Sequence, residues 1–329
     1  MPREAPRNSL VEVTMRDPLQ EPDSLQQKRD SLAMFKHPVP KIPSLLAFAL
    51  ASLFSFSSFA VQGQTGEPPS SPVSNASNNA VNNSLNSPLS NPLNYAVAWR
   101  QTAAEYRALY YQGFALARLR VEQALAARES SASRKLAVIT DVDETVLLSG
   151  VYWGQLIAGG GDFFDDARWD AWVPRNEFVA SPGALDFVRF CEANDVEVFF
   201  VTNRDQGEQT FDLALGNLRA AGFASADASH LRVLRETSNK EAVQAQIRED
   251  YQVIVSLGDN LNDFARRYYQ SDVDARMALM HEDAAKFGRD YIVFPNPTDG
   301  HWIRAIFGES EPQPSEANRK TLLDAATGN

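Results

Sequence analysis

The 329-residue sequence is poor in two features on which many binding sites depend, cysteine and clustered basic residues. Its single cysteine, Cys191, excludes an internal disulfide and any zinc cluster built from cysteines. The formal net charge is -11 and no run of Lys or Arg offsets it locally, so binding to a nucleic-acid polymer is not expected. With 44% hydrophobic residues, the chain can bury the core of one large domain or two small ones.

One long apolar run lies near the N-terminus. Residues 42–60 follow a short basic stretch and end on Ser58-Phe59-Ala60, a pattern typical of a secretory signal peptide over 34–60. We therefore expect translation to start at Met34, with residues 1–33 untranslated or disordered, and the mature protein to be secreted or periplasmic. A retained signal anchor is the alternative, but a proline and several serines dilute the span. No cysteine lies near the cleavage site, so a lipid anchor is not expected. Stable membrane insertion is not expected once the signal peptide is cleaved.

The next segments differ sharply in composition. Residues 61–91 are mostly Gly, Pro, Ser, Asn and Gln, which predicts a disordered leader. Between Tyr95 and Leu125, apolar residues recur every three or four positions, which predicts one long amphipathic helix or two joined near Gly113.

Short apolar runs then alternate with helical patterns, as expected for an α/β fold with a doubly wound parallel sheet. The predicted strands are Leu136–Thr140, Val196–Val201, Val253–Leu257 and Tyr291–Phe294, with predicted helices over 206–221 and 240–249. The aromatic-rich stretch at about 150–181 interrupts the first crossover and predicts a small, mainly helical cap. We expect residues 92–310 to form the domain and 311–329 a flexible tail.

Two aspartates, Asp141 and Asp143, directly follow the first predicted strand. A carboxylate in that place lies in the crevice where open α/β sheets bind ligands. Asp141 can attack phosphorus, while Asp143 can protonate the leaving alcohol and later deprotonate water. The triplet Asp272-Val273-Asp274 has the same spacing but follows no apolar strand, so we expect it to be solvated surface.

Other predicted strand ends and helix starts supply groups that bind phosphate. Thr202 and Asn203 follow the second strand, and their hydroxyl and amide can hold phosphate oxygens. Lys240, in the first turn of a predicted helix, can neutralise the charge that grows on a transferring phosphoryl group. Each signal is weak alone, because capped turns and surface lysines are common.

The string Gly-Asp-Asn-Leu-Asn-Asp-Phe over 258–264 follows another predicted strand. Mg²⁺ prefers oxygen ligands and keeps waters, so Asp259, Asp141 and the backbone carbonyl of Asp143 would form an incomplete magnesium shell. Asp263 would then orient Lys240 or the metal's waters. A carboxylate that only stabilises a helix N-terminus is the alternative for this position.

Taken in order, DVDET, TNR, SNK and GDNLNDF resemble the motifs of the haloacid dehalogenase superfamily. DVDETVLLSGVY and VIVSLGDNLNDF resemble the two signatures of its subfamily IIIB, the bacterial class C acid phosphatases of the outer-membrane lipoprotein type. The resemblance runs from about Tyr95 to Trp302. It implies a Rossmann-like core, an aspartyl-phosphate intermediate, Mg²⁺ as cofactor and an acidic optimum. The implied roles are nucleophile for Asp141, acid and base for Asp143, phosphate ligands for Thr202, Asn203 and Lys240, and magnesium ligand for Asp259 with support from Asp263.

The sequence departs from that family pattern near the substrate's outer end. Asp299 stands where the family has a stacking tyrosine, whereas Trp169 matches another wall of the same aromatic box. The resemblance implies small phosphate monoesters as partners, with 5'-nucleotides or nicotinamide mononucleotide as candidates. We hypothesise that Asp299 favours leaving groups that carry a positive charge.

Several rival readings can be judged on residues alone. Histidine phosphatases need an Arg-His-Gly sequence, which His230, His281 and His301 lack. Thiol phosphatases need an arginine six positions after the catalytic cysteine, and Glu197 stands six positions after Cys191. Dehalogenases lack the second aspartate of the nucleophile loop. Two alternatives stay open: a non-catalytic binding or storage protein, and phosphoryl transfer to alcohol acceptors. A homodimer is the default expectation, although no residue argues for it.

Overall fold

The computed structural model describes residues 88–129 and 134–328. Residues 1–33, the predicted signal peptide over 34–60 and most of the predicted leader lie outside the described residues. Residues 88–91, predicted to belong to the disordered leader, are structured: Pro88–Ser90 form a 3-10 turn and Asn91 is buried, with its side-chain amide donating to the Gly161 carbonyl at 2.6 Å. Within the described part, no helix is long and apolar enough to cross a membrane.

The central sheet has five parallel strands in the order β5-β4-β1-β6-β7. These strands are β1 (Leu136–Thr140), β4 (Val196–Asn203), β5 (Leu231–Leu234), β6 (Gln252–Gly258) and β7 (Tyr291–Val293). All five β1 residues are buried, and alternate ones belong to cores on opposite faces: Leu136 and Val138 on one, Ala137 and Ile139 on the other. Burial on both faces explains the continuous apolar run and confirms the predicted doubly wound parallel sheet.

The described residues form ten α-helices and seven strands, besides short 3-10 turns, and the helices flank the sheet. The helices are α1 (Asn94–Thr102), α2 (Ala104–Ala127), α3 (Gly150–Ala158), α4 (Asp166–Trp172), α5 (Ala184–Ala193), α6 (Thr210–Ala220), α7 (Glu241–Asp250), α8 (Val273–Glu282), α9 (Trp302–Phe307) and α10 (Glu316–Thr327). The two remaining strands, β2 (Leu147–Leu148) and β3 (Val179–Ala180), form an antiparallel pair.

The N-terminal helical segment breaks at Ala103, not near Gly113 as predicted. Ala103 has an extended backbone with φ -74° and ψ 126°, which ends α1 and begins α2. Gly113 instead lies inside α2, where a Cβ atom would come within 2.5 Å of the Phe294 ring. Glycine therefore allows α2 to approach the end of the sheet closely.

The insert between β2 and β3 is mainly helical, as predicted. It contains α3, α4 and a 3-10 turn at Val173–Arg175. Its aromatic side chains pack on one another, with ring centroids 5.1 Å apart for Tyr152 and Trp169 and 4.4 Å apart for Trp172 and Phe178. This packing explains the aromatic-rich composition of the insert.

Two parts of the fold differ from the sequence predictions. Residues 311–329, predicted to be a flexible tail, contain α10, which Ser315 caps by accepting from the Asn318 N–H at 3.0 Å. Arg319 of α10 also pairs with Asp162 of the insert at 2.5 Å, a contact between residues far apart in sequence. The edge strand β5 was not predicted, because only one of its four residues is fully buried.

Candidate active site

Two strand ends and one helix start bring the predicted catalytic residues together. Asp141 follows β1 directly, is 8% exposed, and donates its backbone N–H to the Leu257 carbonyl of β6 at 2.9 Å. Asp259 follows β6, and Lys240 lies at the N-terminal end of α7. The Lys240 Nζ contacts Asp141 Oδ1 and lies 2.8 Å from Asp263 Oδ1. Lys240 therefore lies between two aspartates in the buried end of the cavity.

Three carboxylates form a group that fits a hard cation. Asp141, Asp259 and Asp263 each offer one oxygen, and these atoms lie within 4.8 Å of one another. Burial raises the pKa of Asp141 to about 7, although Lys240 opposes the shift, and burial with the neighbouring Asp263 raises the pKa of Asp259 well above its usual range. Because these buried charges repel one another and offer only oxygen donors, they suit a divalent ion such as Mg²⁺.

The side chain of Asp143, whose backbone carbonyl is the predicted magnesium ligand, lies outside that carboxylate group. Its two oxygens instead accept hydrogen bonds from Arg204, from Nε at 2.6 Å and from Nη2 at 2.5 Å. Arg204 is 4% exposed, donates to Asn217 Oδ1 at 2.7 Å, and lies 4.8 Å from the centroid of the Phe178 ring. This bidentate contact fixes Asp143 beside the end of β4.

Arg204 is the main site residue that the sequence analysis missed. It directly follows the predicted phosphate-binding pair, so its position at a strand end was the available signal. Of that pair, Thr202 is buried, and its hydroxyl lies 3.3 Å from Asp143 Oδ2. Asn203 also lines the cavity, but its side-chain nitrogen donates to the Leu234 carbonyl at 2.8 Å. The structure therefore brings Thr202 to Asp143 and ties the Asn203 amide to β5.

Lys240 carries its charge in this setting. Burial alone would lower its pKa, but Asp141 and Asp263 outweigh that effect and raise the pKa above its ordinary value. The predicted contact between Lys240 and Asp263 is present in the structure. Asp263 also accepts the backbone N–H of Asn260 at 2.9 Å, which holds the loop after β6 in place.

A buried network supports the nucleophile loop from behind. Glu144 has a left-handed backbone with φ 56°, and its carbonyl accepts the hydroxyl of Tyr110 from α2. Its carboxylate accepts hydrogen bonds from Arg100 of α1 and from the Ser149 hydroxyl. A non-glycine residue in this conformation needs such support. The two N-terminal helices therefore help to shape the loop that carries Asp141 and Asp143.

A cavity of about 650 Å³ opens from these residues toward the insert and the C-terminal segment. The aromatic residues in its lining are Trp153, Phe164, Trp169 and Tyr269, and the carboxylates distant from the strand ends include Asp166, Asp299 and Glu311. Burial raises the pKa of Asp299 to about 6. Trp169 and Asp299 thus both line the cavity, as the resemblance implied. A smaller pocket of about 220 Å³ near Glu197 holds none of the predicted site residues.

The triplet Asp272-Val273-Asp274, which was expected to be solvated surface, lies outside the cavity. Asp272 caps α8 by accepting the Ala275 N–H at 2.7 Å, and Asp274 is exposed in the first turn of that helix. Neither lines the 650 Å³ cavity. The strand that precedes Asp141 therefore distinguishes two triplets of identical spacing.

Comparisons with known proteins agree with this geometry. A family model described as haloacid dehalogenase superfamily, subfamily IIIB (acid phosphatase), matches residues 67–302. Among solved structures, the class C acid phosphatase from Bacillus anthracis matches with a TM-score of 0.64 and 29% identity, over 70% of this chain and 94% of that one. The same enzyme with tungstate bound matches at 30% identity, with the same TM-score and coverage.

Proposed function

The chain belongs to subfamily IIIB of the haloacid dehalogenase superfamily, the acid phosphatases, and we propose that it is a Mg²⁺-dependent enzyme that hydrolyses small phosphate monoesters through an aspartyl-phosphate. The family agrees with the one predicted from the sequence, and its members are phosphatases. The observation that carries the proposal is Asp141, held between Lys240 and a carboxylate group suited to a divalent ion, with Asp143 on the same loop.

In the proposed first step, a carboxylate oxygen of Asp141 attacks the phosphorus atom and the ester P–O bond breaks. Asp143 gives its proton to the leaving alcohol oxygen. Lys240 and the Thr202 hydroxyl hold the phosphoryl oxygens and offset their charge. The products of this step are the free alcohol and a phosphorylated Asp141.

In the second step, water attacks the phosphorus atom of that intermediate, and Asp143 takes up the proton that water loses. The bond from phosphorus to the Asp141 oxygen then breaks, which releases inorganic phosphate and restores the carboxylate. Both Asp143 oxygens accept hydrogen bonds from Arg204, which holds this carboxyl group beside the end of β4 in both steps.

Asp141 and Asp259, with Asp263 beside them, would hold the magnesium ion. When bound, the ion supplies positive charge that stabilises the phosphoryl oxygens and lowers repulsion among the carboxylates. The proposal also covers 5'-nucleotides or nicotinamide mononucleotide as candidate substrates, and export of the protein guided by residues 34–60. These two parts rest on the family resemblance and on the sequence pattern.

The experiment measures phosphate release from p-nitrophenyl phosphate and a panel of nucleotides by protein that starts at Val61, at about pH 5 to 6, where a catalytic carboxyl group can hold its proton. Release should require Mg²⁺, stop with EDTA, and be lost in Asp141→Asn. Asp274→Asn, which changes an exposed aspartate of the matching triplet, should behave like the parent.

Absence of release from folded protein would overturn the proposal and favour the non-catalytic binding alternative. Phosphorylated alcohol, formed when glycerol or ethanol is added, would identify phosphoryl transfer as the reaction, because the same residues serve an alcohol acceptor as well as water.

A further inference from the structure

The outer wall of the active-site cavity is acidic, although the proposed substrate is an anion. We define the outer wall as three carboxylates from separate segments: Asp166 in the first turn of α4, Asp299 after β7, and Glu311 after α9. None of them forms an ion pair with any residue that the structure describes. When ionised, these carboxylates therefore have no cationic partner among the described side chains.

The cations of the cavity are engaged elsewhere. Arg204 pairs with Asp143, Lys240 with Asp141, and Arg235 with Asp205 at 2.8 Å. His301 lines the cavity too, but burial lowers its pKa to about 4, so it is neutral at ordinary pH. Among the described residues that line the cavity, each arginine and lysine pairs with a carboxylate that is not part of the outer wall.

The outer carboxylates also act on one another. Loss of solvation and a hydrogen bond with the neighbouring Asp166 carboxyl raise the pKa of Glu311 to about 7, with a further contribution from Asp299, although Glu311 itself stays exposed. Repulsion of this kind falls when a cationic group enters between the carboxylates. The wall is therefore electrostatically complementary to a positive group on a ligand.

Two other features of the cavity fit such a ligand, a buried polar group without a partner on the loop after β6 and an aromatic pair beside Asp166. Asn262 is 5% exposed and lines the cavity, and neither atom of its carboxamide has a hydrogen-bond partner in the described chain. Phe164 and Trp169, with ring centroids 5.8 Å apart, line the same cavity as Asp166. Aromatic faces attract alkylammonium groups, so an aromatic pair beside a carboxylate can bind the same cationic group as the carboxylate.

We propose that the outer wall selects phosphate monoesters whose leaving alcohol carries a positively charged nitrogen. This inference rests on the proposed phosphatase function and assigns its substrate class. The phosphate lies at Asp141 and Lys240, and the cationic end of the alcohol lies between the outer carboxylates. Glu311 stands beyond residue 302, where the family match ends, so this determinant comes from a segment outside that match.

A matched pair of esters tests the proposal on the chain that starts at Val61, at about pH 7.5, above the pKa values of Asp299 (about 6) and Glu311 (about 7). Choline phosphate carries a quaternary nitrogen, and 3,3-dimethylbutyl phosphate has a carbon atom in the same place. We expect the parent to prefer choline phosphate, and the ratio of the two kcat/KM values to fall about 3- to 10-fold in Glu311→Gln, the range of one weakly screened cation contact. Because the ratio is compared between variants, differences between the two leaving alcohols cancel.

Glu309→Gln is the matched control, since Glu309 lies in the same segment, is exposed, and does not line the cavity. It should keep the parental ratio. Asp299→Asn combined with Glu311→Gln should lower the ratio further. An unchanged ratio in both Glu311→Gln and the double variant would overturn the role of the outer wall, whereas failure to hydrolyse even p-nitrophenyl phosphate would overturn the proposed function itself.

Discussion

The inner and outer ends of the cavity use the same residue type in different ways. At the inner end, Asp141 and Asp143 follow a central strand and contact Lys240 and Arg204. At the outer end, the carboxylates come from an insert and from segments after the last strand, and no cation of the described chain pairs with them. The inner carboxylates, which are proposed to react, are thus held by the sheet and by paired cations. The outer carboxylates, which are proposed to contact the leaving group, remain open to a ligand.

The largest effect on turnover should come from replacing Asp141, the proposed nucleophile at the inner end of the cavity. Asp141→Asn should lower kcat by at least about 10⁴-fold, because an amide does not form the phosphorylated intermediate. Phosphate release measured with Mg²⁺ tests this, with Asp274→Asn as the control. Turnover above a few per cent of the parent would contradict the assignment of Asp141.

Asp143→Asn should reduce kcat by about 10² to 10⁴-fold, the usual range for loss of a general acid and base. With p-nitrophenyl phosphate, whose leaving group needs little proton donation, the second step should slow more than the first. Stopped-flow absorbance should then show a burst of p-nitrophenol. Turnover at the parental rate would contradict the base role, and so would slow turnover that shows no burst.

Lys240→Gln should lower kcat by about 10² to 10³-fold, as expected when one preorganised charge opposite the phosphoryl group is removed. The variant also leaves Asp141 and Asp263 without their shared cation. Lys320→Gln, on the exposed side of α10, is the control. An effect below about threefold would show that the inner cation is not needed for the reaction.

The inner carboxylates should also make stability depend on pH and metal. The folded-state pKa of Asp141 is about 7 without metal, above the value of about 4 in an unfolded chain. Its contribution to stability is therefore fully present below about pH 4 and is lost as pH rises through about 7. In EDTA, the Tm of the parent should fall over that interval more than the Tm of Asp141→Asn.

Added Mg²⁺ should raise the parental Tm more at about pH 7.5 than at about pH 5, because binding requires ionised carboxylates. Thermal unfolding in EDTA and in Mg²⁺ measures both effects. An identical pH dependence in parent and Asp141→Asn would show that this buried carboxylate is not the group involved.

The smallest effect is expected for an aromatic residue near the outer wall. Trp169→Ala should raise KM for a bulky aromatic ester about 2- to 10-fold and leave kcat nearly unchanged, because Trp169 would contact the leaving group and not the reacting carboxylates. Trp169 also packs on Trp172 and Phe178, so Trp169→Phe serves as the conservative control. A fall in kcat with constant KM would place Trp169 in the inner chemistry instead.

The sequence predicts the residues at strand ends better than the contacts that the folded chain makes between distant segments. Asp141, Thr202 and Asp259 each follow an apolar strand, and the carboxyl ends of parallel strands meet at one edge, so their proximity was predictable from local patterns. The pairing of Arg204 with Asp143 was not predicted, because it depends on how β4 lies beside β1 and on the Asn217 contact in α6. Local spacing does not report such contacts.

Errors in the fold have similar physical causes. The break at Ala103 falls within a continuous helical pattern that contains neither proline nor glycine at that point. The helix α10 was missed because its anchoring contact, from Arg319 to Asp162, joins residues separated by most of the domain. Glu311 was missed for the same reason, since only the folded chain brings it beside Asp166.

The ion pair between Arg319 and Asp162 has a consequence for how such an enzyme evolves. It fastens the last helix to the insert, so the two chain segments that contribute Asp166 and Glu311 are joined directly. Under the proposed role of the outer wall, changes to the segment after Gly308 would shift the preferred alcohol and leave the strand-end carboxylates in place. The alcohol preference and the chemistry of such an enzyme would therefore be separable by mutation.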